Sequence, residues 1–252
     1  MRHPRPDGSV WVRTYPLTTL HDHVVALHDH DWDQLTYAAS GVMWVHTREA
    51  SWVVPPHRAL WLPAGTGHSE ELHAPVSVRT LFLAPGVATG LPRHCCVLNV
   101  SSFLRELILR VSRIGALDRM RPVQAHLINV LLDELVSISD VPLQLPMPRD
   151  PRALRLAEAW RKHPDDEGSV ESLSGEAGAS RRTMERLFLA ETGMTVGEWR
   201  RRLRLLHAVS LLAGGESVTN VALDAGYSST SAFIATFKKA FGTTPSRYSI
   251  SG

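Results

Sequence analysis

The stretch from Ser217 to Tyr248 constrains the fold of this chain more than any other part of the sequence. Val218, Val221 and Ala222 recur at helical spacing. The apolar run ends just before Gly226, a residue type that suits a left-handed turn position. This pattern predicts a short helix followed by a tight turn.

A second helix is predicted directly after this turn. Ser228 or Ser229 can cap its N-terminus, and Phe233, Phe237 and Phe241 form its inward face. A short helix, a tight turn and a second helix make a helix-turn-helix. The positions off the aromatic stripe, which are free to enter a DNA groove, are Thr230, Ser231, Ile234 and Ala235.

The same motif is written once more, earlier in the chain. The matched pairs are Gly178 with Gly226, Ser180 with Ser229, Met184 with Phe233, Phe188 with Phe237, Gly193 with Gly242, Thr195 with Thr244, and Trp199 with Tyr248. A first helix-turn-helix is therefore predicted over Val170–Glu191, with Leu173 and Ala177 buried and Ser180 capping its recognition helix. An Arg-rich helix over Val196–Leu212 can hold the two recognition helices about one DNA turn apart, roughly 34 Å.

The outward positions of the first recognition helix carry the stronger base-reading chemistry. Arg pairs bidentately with guanine and Glu accepts from cytosine, so the base-contact candidates here are Arg182, Glu185 and Arg186. Alternatively, Arg181 or Arg182 holds phosphate and Glu185 forms an ion pair with Arg181. The second helix offers only Thr230, Ser231 and Ile234 as base contacts, so the first helix is expected to dominate readout.

Several further cations are candidates for phosphate contact, although a solvated charged face is the alternative for some of them. They are Arg181, Arg200, Arg201, Arg202, Lys238 and Arg247. The net charge of the whole chain is only +2, so a nucleic-acid site has to come from such local clustering.

The N-terminal half has the pattern of short strands from Val10 to about Ala84. The predicted strands are Val42–His46, Ser51–Val54, Ala59–Leu62 and Val76–Leu83. Their predicted separators are Gly41, Pro55-Pro56, Pro63-Ala64-Gly65 and Pro75. Strands at this spacing favour an all-β barrel or sandwich.

A polar constellation lies within these strands. His28 and His30 would point to the same face if both lay on a strand, and a later hairpin can bring His68 beside them. With Gln34, these residues are the candidates for an effector or metal site. Three imidazoles suit zinc, nickel, iron or copper. The alternative is a metal-free effector pocket or a buried hydrogen-bond network.

Two amphipathic helices are predicted after the strands, one capped by Ser101 and running to about Ile114, the other over Val123–Ser139. They either pack on the barrel or form a homodimer interface. The prolines between Asp140 and Pro151 predict a stiff linker. The expected domains are 1–100 (sensor), 101–140 (helical segment), 141–151 (Pro-rich linker) and 152–252 (DNA-binding domain), an α+β multidomain chain.

Composition places the chain among soluble globular proteins, with 44% hydrophobic and 21% charged residues. Cys95 and Cys96 are adjacent, which suits neither an ordinary disulfide nor a zinc pattern. With no apolar leader and no run of membrane-spanning length, a cytoplasmic location without membrane association is expected.

Residues 152–248 resemble the DNA-binding domain of AraC/XylS-type transcription regulators. The signature pattern of that family is met by Ala222, Gly226, Tyr227, Ser229, Ser231, Phe233, Phe237, Lys238, Phe241, Gly242, Pro245 and Tyr248. The resemblance implies a one-component regulator that binds double-stranded DNA at a promoter operator under the control of a small-molecule effector. RNA polymerase is a further partner expected of such a protein.

The N-terminal half resembles the cupin barrel, since the stretch HDHDWDQLTYAASG (residues 28–41) fits the spacing of the first cupin motif. Gln34 stands where that family has Glu. Residues 63–68 match the second motif, although His57 replaces its leading Gly and Leu72 its trailing Asn. The resemblance implies a divalent metal ion at His28, His30, Gln34 and His68. The alternative function is a metal-dependent cupin enzyme, an oxygenase or isomerase, with a helical accessory domain.

Overall fold

The computed structural model describes residues 8–136, 140–164, 174–175 and 177–248. They form two compact units. One holds the described residues up to Thr47 and from Val54 to Pro142, and the other holds Arg48–Val53 and the described residues from Leu143 onward. In the described part, no helix is both long enough and apolar enough to cross a membrane.

The N-terminal unit is β-rich. The strands of the chain are β1 (Val10–Thr19), β2 (His23–His28), β3 (Asp33–Thr47), β4 (Ala50–Val54), β5 (Arg58–Leu62), β6 (His68–Leu83), β7 (Cys96–Asn99), β8 (Ala116–Asp118), β9 (Asp140–Val141) and β10 (Gln144–Pro146). Within this unit the order is β8-β1-β6-β3-β5-β7-β9, and β2 pairs with β6. All the pairings are antiparallel. The long strand β6 pairs with three strands, namely β1, β2 and β3.

Two of the predicted strand separators are wrong, because β3 continues through Gly41 and β6 continues through Pro75. Gly41 has a φ of 72°, and a Cβ on it would lie 2.4 Å from the carbonyl oxygen of Pro75. Register shifts beside Ser40 absorb the irregularity. Glycine and proline usually end strands, but here Gly41 of β3 lies against Pro75 of β6, and the pairing of the two strands continues through a local bend.

The two predicted helices of this unit are confirmed as α1 (Ser102–Ile114) and α2 (Pro122–Val136). Ser101 caps α1 by accepting a hydrogen bond from the Leu104 amide at 3.1 Å. The inward residues of both helices join the same buried core as β1, β3 and β6; they are Leu104, Leu107, Ile108, Val111, Ile128, Leu131 and Leu135. The segment thus packs on the sheet, the first of the two predicted alternatives.

The C-terminal unit contains the helices α3 (Pro151–Lys162), α4 (Arg181–Thr192), α5 (Val196–Ala213), α6 (Val218–Asp224) and α7 (Thr230–Phe241) and a 3₁₀ turn at Pro245–Arg247. The α+β architecture with a helical C-terminal unit is therefore confirmed. The first helix of the earlier helix-turn-helix, with Leu173, lies largely outside the described residues. Ala177 is buried, as predicted.

The two copies of the motif share their local geometry. Ser180 and Ser229 cap α4 and α7 through side-chain oxygens that accept from backbone amides. Gly193 and Gly242 end these helices with φ values of 71° and 72°. The turn glycines Gly178 and Gly226 have φ values of 78° and 77°. The repeat seen in the sequence is thus a repeat of backbone conformation.

The aromatic core is duplicated as well. Phe188 of α4 packs edge-to-face against Trp199 at a centroid distance of 5.4 Å. Phe237 of α7 packs in the same manner against Tyr248 at 5.6 Å. Each recognition helix is therefore anchored by an aromatic residue that follows its C-terminal glycine.

The prediction of a separate linker over 141–151 is wrong. Strand β10 pairs with β4. The C-terminal unit contains all of β10 and the part of β4 that ends at Val53. Leu143 and Leu145 are fully buried. The prolines stiffen this segment, but its alternating leucines are apolar enough to be buried, so it is packed into the fold.

Candidate functional site

Three imidazoles converge in the N-terminal unit, as predicted. The ring centroids of His28 and His68 are 4.4 Å apart, those of His30 and His68 5.3 Å, and those of His28 and His30 6.1 Å. One ligand atom from each lies within 4.8 Å of the others. The predicted reason was incomplete: His28 ends β2, but His30 lies in the following loop and His68 begins β6.

The backbone fixes which nitrogen of each imidazole faces the cluster. In all three rings Nδ1 lies within hydrogen-bond distance of a carbonyl oxygen two residues away. The acceptors are Ala26 at 2.9 Å, Trp32 at 2.6 Å and Thr66 at 2.8 Å. A neutral imidazole that donates from Nδ1 keeps its lone pair on Nε2. Carbonyl acceptors of this kind also orient metal-binding histidines.

His68 is the most enclosed of the three. It is fully buried, and burial is the main cause that lowers its pKa to about 4. Its Nε2 atom has no hydrogen-bond partner among the described residues. The ring is therefore neutral near pH 7 and presents an unshared lone pair to the cluster.

Gln34 completes the cluster with an oxygen. Its Nε2 donates to Thr36 Oγ1 at 2.6 Å and to Glu70 Oε1 at 3.0 Å. With both amide hydrogens directed away, Oε1 faces Nε2 of His30 in close contact. Three nitrogens and one oxygen thus meet, which is the donor chemistry of a borderline divalent ion. All four candidate residues predicted for this site are brought together.

Glu70 is a member of the site that the sequence analysis missed. Its carboxylate is buried, and Oε1 lies 3.9 Å from Nε2 of His68. Burial raises its pKa, and the hydrogen bond from Gln34 opposes this shift. The available signal was spacing: Glu70 follows His68 by two residues, so both side chains lie on one face of β6.

A cavity of about 210 Å³ opens beside the cluster. Its polar lining residues are His28, Gln34, Glu70, Thr80 and the exposed His23. The remaining wall comes from β1, β2 and β6; it consists of Tyr15, Leu17, Val25, Leu72, Val78 and Phe82. The cavity can hold a small molecule that is apolar over most of its surface.

In the C-terminal unit, α4 presents Arg182 and Arg186 on its exposed face. Met184, Leu187 and Phe188 form the buried face, as predicted. Arg181 is exposed at the start of the helix. The arginines predicted to contact bases or phosphate therefore lie on the side of α4 that is open to solvent.

Glu185 does not fit its predicted role as a base contact. It is half-buried, and its Oε2 accepts a hydrogen bond from the Val196 amide at 3.1 Å. This amide is at the start of α5, where helical amides have no partner within the helix. The carboxylate therefore joins α4 to α5, which does not favour the predicted base contact, and its hydrogen-bond partner is the Val196 amide instead of Arg181.

On α7 the predicted reading positions are small and partly covered. Ser231 is exposed, whereas Thr230 and Ile234 are half-buried. Lys238 and Arg247 are exposed near the end of this helix and in the turn that follows. This face offers hydrogen bonds and methyl groups to a duplex, with cations at its edge.

The three consecutive arginines of α5 differ in their surroundings. Arg201 is exposed. Arg200 stacks over the ring of Trp160 at 4.8 Å, and Arg202 donates from Nε to the Gln144 carbonyl at 2.6 Å. Burial lowers the pKa of Arg202. The hypothesis of phosphate contact is kept for Arg201 and corrected for Arg200 and Arg202, because each of these two side chains makes a contact within the unit, on either flank of the buried Trp199–Leu203 stripe.

Comparison with known proteins gives matches to both halves of the chain. A model described as a helix-turn-helix domain matches residues 173–249, and one described as an AraC-like ligand binding domain matches residues 13–136. The HTH-type transcriptional regulator NimR of Escherichia coli is 37% identical over 222 residues, 88% of this chain and 81% of NimR. The HTH-type transcriptional regulator RipA of Corynebacterium glutamicum is 38% identical over 104 residues, 41% of this chain and 31% of RipA.

Among solved structures, the unsaturated fatty acid bound ToxT from Vibrio cholerae aligns with 98% of this chain and 96% of its own, at 14% identity. The TM-score is 0.38, which is too low for ToxT to inform either the fold or the ligand of this chain.

Proposed function

Because this chain belongs to the AraC family of transcriptional regulators, we propose that its C-terminal unit reads a promoter operator mainly through α4. The exposed Arg182 and Arg186 would contact base edges, since arginine pairs bidentately with guanine in the major groove. Thr230, Ser231 and Ile234 of α7 would make the weaker contacts. Arg181, Arg201, Lys238 and Arg247 would hold phosphates and set the register of the protein on the duplex.

The observation that carries this proposal is the geometric repeat. Both recognition helices begin at a capping serine, end at a left-handed glycine and are anchored by an aromatic pair. Two such helices joined through one long helix, α5, suit successive major grooves on one face of DNA. The exposed face of α4 carries arginines, whereas that of α7 carries small side chains, so α4 would contribute most of the sequence specificity.

The N-terminal unit would control this binding through a ligand held at the histidine cluster. One ligand nitrogen from each imidazole and the Gln34 oxygen converge there, and His68 Nε2 lacks a hydrogen-bond partner among the described residues. Lone pairs that face each other repel unless a proton or a metal ion lies between them. A divalent transition ion fits this donor set, and the adjoining cavity suits a small organic effector.

Further partners belong to the same proposal. The outer face of α2 leaves Val123 and Val130 exposed by 74% and 39%, which supports a homodimer built on this helix. Contact with RNA polymerase would follow from binding at a promoter. The curated relatives are transcriptional regulators, so regulation is favoured over the alternative of a cupin enzyme.

Selection from a random duplex library with purified full-length protein tests the function. The proposal expects enrichment of a motif with two half-elements separated by about one helical turn. A library that stays unenriched, both with added divalent ions and without them, would contradict it.

A further inference from the structure

Glu70 occupies no position of either histidine motif, yet it controls how Gln34 faces the imidazoles. The Gln34 amide has two ends, and only one of them can offer a lone pair to the cluster. Thr36 Oγ1 and Glu70 Oε1 each accept one hydrogen from Nε2. The side that faces His30 is therefore oxygen.

Glu70 is placed where it can act on Gln34. Its side chain is buried on the same face of β6 as His68, and its Oε1 lies 3.9 Å from Nε2 of His68. Groups that hydrogen-bond to metal ligands orient those ligands and tune the affinity for the ion.

The cavity shows from which side a ligand would approach. It is lined by His28, Gln34 and Glu70 and by apolar side chains such as Leu17, Val25 and Phe82. His30 and His68 do not line it. A molecule in this cavity would meet the cluster at its His28–Gln34 edge, with its apolar body against the strands.

We propose that the regulator senses its effector through a divalent ion. His28, His30, His68 and Gln34 Oε1 hold the ion, and Glu70 is the positioning residue that fixes the Gln34 amide. The effector is a small, mostly apolar molecule with a nitrogen, oxygen or sulfur donor atom that coordinates the ion from the cavity. This inference rests on the proposed regulatory function and names the ligand class of its sensor.

Cobalt(II) titration of the full-length protein, followed by visible absorption, tests the ion site. The wild type is expected to bind Co²⁺ at one site per chain, with the intense d–d band of a low-coordinate nitrogen-rich site. Glu70→Ala is expected to weaken Co²⁺ binding by about tenfold or more. Glu71→Ala is the matched control on the outward face of the same strand, where Glu71 pairs with His46, and it should bind Co²⁺ as the wild type does.

Glu70→Gln separates positioning from folding. It keeps an oxygen that can accept from Gln34 Nε2, so it should recover most of the Co²⁺ affinity and the wild-type band. A folded Glu70→Ala that binds Co²⁺ like the wild type, or a folded wild type without a Co²⁺ band, would overturn the inference.

The effector class is tested with 4-phenylimidazole as the probe, because it joins a donor nitrogen to an apolar ring. It should shift the Co²⁺ band of the wild type at lower concentration than imidazole does. Val25→Phe narrows the cavity from the edge strand β2 and should abolish this preference while leaving Co²⁺ affinity unchanged. An unshifted wild-type band would reject coordination of the effector.

These readouts are independent of DNA. If Co²⁺ binding fails while an operator is still selected, the ion-mediated sensor is rejected and the regulator stands. If no operator is selected while Co²⁺ binds, the proposed DNA readout is rejected and the ion site stands.

Discussion

The indole N–H of Trp199 donates to the carbonyl oxygen of Pro146 at 2.7 Å, which ties the helix between the two recognition helices to strand β10. One turn later along the same helix, Nε of Arg202 donates a hydrogen bond to the carbonyl oxygen of Gln144. Glu191 of α4 accepts hydrogen bonds from the amides of Arg149 and Asp150. The Pro-rich segment is thereby built into the DNA-binding unit, so a displacement of this segment would bear directly on α4 and α5.

Replacing Trp199 with Phe should destabilise the protein by about 0.5–1.5 kcal/mol beyond the loss of ring volume, because the half-buried Pro146 carbonyl loses its donor. Trp160→Phe is the matched control, since Trp160 is equally buried and its indole N–H has no acceptor among the described residues. Urea unfolding of both variants measures the difference. Equal destabilisation would show that the Trp199–Pro146 hydrogen bond contributes little.

Two neighbouring arginines of α5 should behave differently on DNA. Arg201→Ala is expected to reduce the salt slope of operator binding by about one, as the loss of one phosphate contact does. Arg202→Ala should leave the slope unchanged and lower the free energy of unfolding, because its side chain bonds to Gln144. Binding isotherms at several salt concentrations, with urea unfolding beside them, measure both effects. An unchanged slope for Arg201→Ala would remove it from the interface.

The N-terminus of α3 should show an acid-dependent stability. Hydrogen bonds from the Arg152 side chain are the largest cause that lowers the pKa of Asp150 to about 2, and the Arg152 amide adds to the effect. A lowered folded-state pKa stabilises the fold above the unfolded-state pKa of about 4, and this stabilisation is lost as pH falls toward 2.

The comparison variant for this group is Asp150→Asn, which keeps a capping oxygen without the charge. The melting temperature of the wild type should exceed that of Asp150→Asn by a constant margin from pH 7 to about pH 4 and by less at lower pH. A margin that grows on acidification would contradict the assignment.

Gly41 should tolerate no side chain. Gly41→Ala places a Cβ 2.4 Å from the Pro75 oxygen at a positive φ, so a loss of at least about 1–3 kcal/mol is expected. Gly197→Ala in α5, where an added Cβ meets nothing within 4 Å, should be neutral or slightly stabilising. Thermal unfolding of the two variants compares them. A Gly41→Ala variant as stable as the wild type would show that β3 and β6 approach each other less closely at Gly41 than described.

The C-terminal unit was largely predictable because its determinants are local. Capping serines, left-handed glycines and an aromatic stripe at helical spacing each specify a conformation within a few residues. Because the motif is repeated, each of these signals occurs twice in the sequence. The role of Glu185 was not predictable in this way. Glu185 lies off the buried face of α4, as inferred, but it is half-buried, and its partner, the Val196 amide, depends on how α4 and α5 pack.

The N-terminal unit was less predictable because its determinants are tertiary. Glycine and proline usually end strands, yet Gly41 and Pro75 lie within the ladder because each accommodates the other across it. Glu70 was missed as a site residue because its spacing from His68 indicates only a shared strand face, whereas its role depends on the hydrogen bond from Gln34 of β3. The convergence of His28, His30 and His68 was inferred correctly, although the loop position of His30 was not.

The most direct test of the central claim compares Arg186→Ala with Thr230→Ala on a saturated library of the selected operator. If α4 supplies the sequence choice, Arg186→Ala should relax preference at its half-element by about 1–3 kcal/mol per affected base pair, with a smaller loss for Thr230→Ala. Equal or reversed effects of the two substitutions would contradict readout dominated by the first recognition helix.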